Sequence, residues 1–109
     1  MTIEEQRACM APLQMAGTLI MENGGETYRV EETVTRIGRA FGLAEVESFA
    51  VPSGLFISYR MADGSVETAV KRVHRGDVNL TRVNRVNSIS RRVEREGMTP
   101  AQTLAELEE

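Results

Sequence analysis

Two short turn signals decide what the middle of this chain can become. Pro52-Ser53-Gly54 and Asp63-Gly64 each interrupt a run of alternating side chains. Val46, Ser48 and Ala50 alternate with Glu47, Phe49 and Val51. Leu55, Ile57, Tyr59 and Met61 alternate with Phe56, Ser58 and Arg60. Val66, Thr68 and Val70 alternate with Glu67, Ala69 and Lys71, in a run reaching to about His74. A period of two puts successive side chains on opposite faces of a strand. Asp-Gly suits the tight turns of hairpins, and Pro, Ser and Gly are turn formers. Joints this short leave no room for a crossover, so neighbouring strands must run antiparallel. The pattern predicts a three-stranded meander with one face covered by helices.

The flanks read as helices. Thr2-Ile3-Glu4-Glu5 is a capping box, in which a hydroxyl and a carboxylate satisfy amides that a helix start leaves without partners. Pro12 lacks an amide and crowds the preceding turn, which predicts a kink or a fresh start. Leu13, Ala16, Gly17 and Ile20 then share one helical face, and Asn23-Gly24-Gly25 stops the helix. A second helix is predicted from about Glu26 to Phe41, with Val30, Val34, Ile37 and Phe41 as its apolar stripe and Gly42 at its end. So short a joint predicts an antiparallel helical hairpin. After the meander, Asn79 caps a helix running to about Glu96, and Gly97 stops it. Thr99-Pro100-Ala101-Gln102 starts another, with Leu104 and Leu107 on its apolar edge. The predicted fold is α+β, ordered α-α-β-β-β-α-α, and the length of 109 residues predicts a single soluble domain, 1–109.

Charge and composition exclude several function classes. Cys9 is the only cysteine, so it forms no internal disulfide and no multi-thiolate metal site; a buried, inert thiol is expected. The single histidine, His74, has no second His or Cys for a metal, and the glycines match neither phosphate-binding fingerprint. No cofactor is expected. Glu4 and Glu5 sit where a signal peptide would be basic, and Met15–Met21 is too short to span a bilayer, so the chain itself reads as soluble and cytoplasmic. Residues 71–95 hold eight Lys and Arg against Asp77 and Glu94, although the whole chain is −3. That basic helix has no interleaved aromatics and follows no helix-turn-helix pattern, so nucleic acid is not expected as a partner. It reads instead as a face that pairs with acidic helices of the same fold.

Several polar residues fall where apolar ones are expected. At 100° per residue, Glu26 lies about 40° from Val30 and about 20° from Ile37, on the apolar side of its helix. A carboxylate there needs partners, either the free amides of the helix start, Arg29, or a ligand. Asn79, Asn87 and Ser90 fall on or beside the face defined by Val83, Val86 and Val93. Asn79 serves as a cap; Asn87 and Ser90 either bond backbone groups at a close helix contact or line a ligand site with Glu26. Ser53 lies at the first strand turn, outside any nucleophile-elbow pattern. The candidate ligand-binding set is therefore Glu26, Arg29, Ser53, Asn79, Asn87 and Ser90, and no residue is assigned a catalytic role.

Three stretches carry a family resemblance. They are Met21-Glu22-Asn23-Gly24-Gly25-Glu26-Thr27-Tyr28-Arg29-Val30-Glu31, Val51-Pro52-Ser53-Gly54, and Asn79-Leu80-Thr81-Arg82-Val83-Asn84-Arg85-Val86-Asn87-Ser88-Ile89-Ser90-Arg91. In this order and spacing they resemble the hydrophilic N-terminal domain of the threonine/serine exporter family, over about Leu13 to Leu107. The resemblance implies a cytoplasmic domain joined to a multi-helix membrane part that exports small hydroxy amino acids. It implies that the expected partners are the chain's own transmembrane part or a separate membrane subunit, a second copy of the chain, and a small amino-acid ligand. The expected function is accessory or regulatory, sensing such a ligand. A hydrolase-like domain, with Glu26 as base and Ser53 or water as nucleophile, and a purely structural oligomerisation domain are the competing readings. The chain carries no membrane segment and reads as an excised domain or a short stand-alone relative.

Overall fold

The order of elements is the predicted one. A computed structural model describes residues 1–109, with α1 (Ile3–Ala8), α2 (Met10–Glu22), α3 (Thr27–Ala40), β1 (Ala44–Val51), β2 (Gly54–Arg60), β3 (Val66–Arg72), α4 (Leu80–Glu96) and α5 (Pro100–Glu108). The interruption tied to Pro12 lies at Ala8 and Cys9. The proline ring would collide with the carbonyl four residues back, which belongs to Ala8, so α1 ends there and α2 starts afresh. No helix is long and apolar enough to cross a membrane.

The strands form one antiparallel sheet in the order β1-β2-β3. Its inner face carries Ala50, Leu55, Ile57 and Tyr59, all buried; its outer face carries the cross-strand row Phe49, Phe56 and Val70, all exposed. Two predicted boundaries move. β1 begins at Ala44, two residues early, because Glu45 sits at φ 50 in a bulge that lets three β1 steps oppose two on β2. β3 stops at Arg72, because its chain leaves the sheet to serve the end of α2. There the amides of Gly76 and Asn79 donate to the carbonyls of Glu22 (3.0 Å) and Asn23 (2.9 Å), and Arg75 donates to the carbonyl of Gly24 (3.2 Å). A helix C-terminus leaves such carbonyls without partners, so this loop acts as its cap.

The core lies between the sheet and the helices. α2 is the central helix: it packs on α3, α4, α5 and β2, with Leu13, Ala16, Ile20 and Met21 buried. Gly17 allows the closest approach. A Cβ there would lie 2.5 Å from Leu55 Cδ2 and 3.3 Å from both Val30 and Val34. Tyr59 is fully buried and its hydroxyl donates to the carbonyl of Gln6, pinning α1 to the sheet. Beside it, Cys9 is buried as expected. Its thiol contacts the Glu5 carbonyl at 3.4 Å, and loss of solvent, with Glu5 nearby, pushes its pKa up to about 11. The thiol is therefore held neutral and unreactive.

The three capping predictions hold in detail. Thr2 with Glu5 and Thr99 with Gln102 form reciprocal capping boxes, and Asn79 Oδ1 accepts from the amide of Arg82 at 3.1 Å. Three of the eight basic residues in segment 71–95 pair with acidic side chains of α5, of Glu109 just after it, and of the end of α4. Arg92 meets Glu106 (3.3 Å), Arg85 meets Glu109 (3.7 Å), and Arg95 meets Glu96 (3.4 Å).

Candidate functional site

The six candidate residues do not converge. Glu26 is the N-cap of α3, with backbone at φ −75, ψ 150, and it is exposed. The prediction that it faces the core is wrong for a definite reason. An N-cap residue has extended rather than helical backbone, so the 100° step cannot be carried back to it. Its side chain makes no capping hydrogen bond. Ser53 is exposed in the β1–β2 turn, where its carbonyl accepts from the amide of Val73 at 3.0 Å. Asn79 is occupied in capping α4. Neither Glu26 nor Ser53 lines any of the five main cavities.

Arg29, Asn87 and Ser90 do come together, at the contact of α3 with α4. A groove of about 260 Å³ is lined by Ile20 from α2, by Tyr28, Arg29, Glu32, Thr33 and Arg36 from α3, and by Val83, Asn87 and Arg91 from α4. Arg36 organises it. Its Nη1 donates to Asn87 Oδ1 and to Ser90 Oγ, each at 3.2 Å. Ser90 is fully buried, and its hydroxyl donates onward to the Asn87 carbonyl at 2.7 Å. This answers why polar residues sit on the apolar face of α4: they hold a guanidinium that projects from the neighbouring helix. Ser90 lies beneath the groove rather than in its wall.

The electrostatics of the groove are lopsided. Arg29, Arg36 and Arg91 face it with Glu32 as the only carboxylate, and none of the three arginines has a carboxylate within 4.0 Å. Guanidinium groups present planar forks of donors that match a carboxylate. Free cations of this kind in a concave site favour an anion. Reading the sequence identified Arg29 and Asn87 but not Arg36, Arg91, Tyr28 or Glu32. The signal was present. Arg29 and Arg36 are seven residues apart and so share a face of α3, while Asn87 and Arg91 are a turn apart on α4.

Comparison with known proteins places the chain in a family. The chain is similar to the probable succinate transporter subunit YjjP of Escherichia coli (strain K12), with 30% identity over 89 residues, covering 82% of the chain and 34% of that protein. The subunit of the same name from Klebsiella aerogenes is 32% identical over 85 residues, covering 78% of the chain and 33% of that protein. The chain thus spans about a third of the length of these relatives. No solved structure matches it. The family model described as "Putative threonine/serine exporter" matches residues 13–109, which run from Leu13 in α2 to the end of α5 and include the groove, and the chain belongs to that family.

Proposed function

We propose that this chain is the extramembrane part of a transporter of the threonine/serine exporter type. In this reading it sits at the cytoplasmic face of the membrane, beside its own transmembrane part or a separate membrane subunit. There it acts as an accessory domain that senses the transported solute. The observation that carries the reading is the α3–α4 groove, where Arg29, Arg36 and Arg91 converge without ion-pair partners. A small carboxylate is the ligand this groove suits. Arg36, already oriented by Asn87 and Ser90, would receive the carboxylate with little loss of side-chain freedom. Glu32 offers a site for an ammonium, as in threonine or serine. The excess of arginine favours a second carboxylate, as in succinate, the solute in the relatives' name. The chemistry common to both is carboxylate capture by guanidinium.

Titration of isotopically labelled chain with L-threonine, L-serine and succinate separates these sources. Binding is expected to shift the amide signals of Arg36, Asn87 and Ser90 at millimolar ligand. Arg91→Gln should weaken it roughly tenfold, the scale of one lost charge-assisted hydrogen bond. If none of the three solutes moves these signals, the sensing role is wrong.

A further inference from the structure

We propose that the free edge of β3 pairs with the same edge of a second copy of the chain, antiparallel and centred on Ala69, to form one continuous sheet. This does not rest on the groove. β3 is the outer strand of the order β1-β2-β3. The backbone bonds Met61 to Ser65 (2.7 Å) and Val73 to Ser53 (3.0 Å) mark the two ends of its ladder with β2. Alternation between them directs the backbone groups of Glu67, Ala69 and Lys71 toward β2. Those of Val66, Thr68, Val70 and Arg72 therefore point away from the sheet. All four residues are exposed. The register with β2 is unbroken and β3 contains no proline, so two common protections of an edge strand are absent.

Symmetry and charge then choose the register. Outward-pointing residues must face one another, so even-numbered positions pair with even-numbered ones. The arrangement that overlaps the whole strand sets Val66 opposite the partner's Arg72 and Thr68 opposite the partner's Val70, with Ala69 on the two-fold axis. This same arrangement puts Glu67 opposite the partner's Lys71, and does so twice. Those two pairs fall in non-hydrogen-bonded sites, where cross-strand side chains lie closest. A shift of two residues in either direction removes both ion pairs. Arg7 already lies 3.5 Å from Glu67, so the partner's Lys71 would complete a small network. On the outer face, Val70 is 75% exposed at the end of the row Phe49–Phe56–Val70. Pairing brings the partner's Val70 onto its diagonal and covers it.

The test is sedimentation of the full chain from micromolar to millimolar concentration, with far-ultraviolet circular dichroism as the folding control. The expected species has about twice the mass of 12.1 kDa. Lys71→Glu and Glu67→Lys should each weaken association at least roughly tenfold, since like charges then stand opposite one another twice. The doubly swapped chain should recover it. Mild oxidation should cross-link Ala69→Cys, whose opposed Cα atoms would lie roughly 4.5 Å apart, but not Thr68→Cys or Val70→Cys. A strict monomer, association unaffected by either reversal, no recovery in the double swap, or equal cross-linking at all three positions would overturn the proposal.

Discussion

α3 makes contacts of two kinds on its two sides, and the contrast shows what each kind specifies. Toward α2 it presents Val30 and Val34, both with no exposed surface, and the approach is close enough to require Gly17. Toward α4 it presents Arg36, held by Asn87 and Ser90 beside a cavity. The first contact is defined by shape. Interiors are close-packed, so a single added carbon is felt. The second is defined by hydrogen bonds and leaves space, so it tolerates changes of volume and can admit a ligand. The dry side therefore contributes most to stability, and the wet side contributes the site.

The sharpest way to break this contrast is to add volume on the dry side. Gly17→Val places three carbons where even a Cβ would lie 2.5 Å from Leu55. The flexible end of Leu55 can yield to one carbon, but Val30 and Val34 then block the other two. The expected cost is about 2–3 kcal/mol, the upper part of the range for overpacked cores. It would be read as a drop in the urea midpoint with an unchanged slope. A cost under about 1 kcal/mol would mean that the contact is loose and the contrast overstated.

The same contrast explains which parts of the molecule were legible in the sequence. The order of elements was, because caps and turns are local. Thr2 with Glu5, Asn79 with Arg82 and Thr99 with Gln102 act within one turn of helix. Asp63-Gly64 closes a hairpin by its own geometry. The bulge at Glu45 was not legible, since nothing about a glutamate signals left-handed backbone. The site was half legible. Asn87 and Ser90 stood out as polar groups on an apolar stripe, and they needed partners. Their partner, Arg36, is 51 residues from Asn87 on another helix, and nothing local marks it until the packing of α3 on α4 is known. The reach of α2's cap into residues 75–79 was hidden for the same reason: the partners are far apart in sequence.

On the wet side, Arg36→Ala tests whether the polar contact is as forgiving as the contrast requires. Truncation removes two hydrogen bonds to neutral acceptors. It leaves no buried orphan, because Ser90 still donates to the Asn87 carbonyl and Asn87 faces a cavity that water can enter. The expected loss is about 1.5 kcal/mol, the low end for hydrogen bonds with an ionised partner, because water takes the place of the half-buried guanidinium. The amide shifts on carboxylate addition should disappear in the same variant. A loss above about 3 kcal/mol would class Arg36 as part of the core, since only an uncompensated buried partner costs that much.

The smallest effect expected is a gain, and it concerns a residue that helical periodicity misplaced. Glu26 occupies the N-cap of α3 with suitable extended backbone, yet its side chain accepts no bond from the first turn. The shorter N-cap residues succeed because one carbon separates the acceptor-bearing atom from the backbone, bringing the oxygen within reach of the third amide. Glutamate is longer and keeps only a diffuse interaction with the helix dipole. Glu26→Ser should therefore stabilise the chain by about 0.5 kcal/mol, the direct cap outweighing the lost charge. Neither the dry nor the wet contact of α3 would be disturbed, because residue 26 lies in neither. Thermal melts in low and high salt would resolve the two terms. Salt screens the charge effect but not the cap, so the advantage of the serine variant should grow as salt is added. If that variant is instead the less stable at every salt concentration, Glu26 has a partner stronger than the helix dipole.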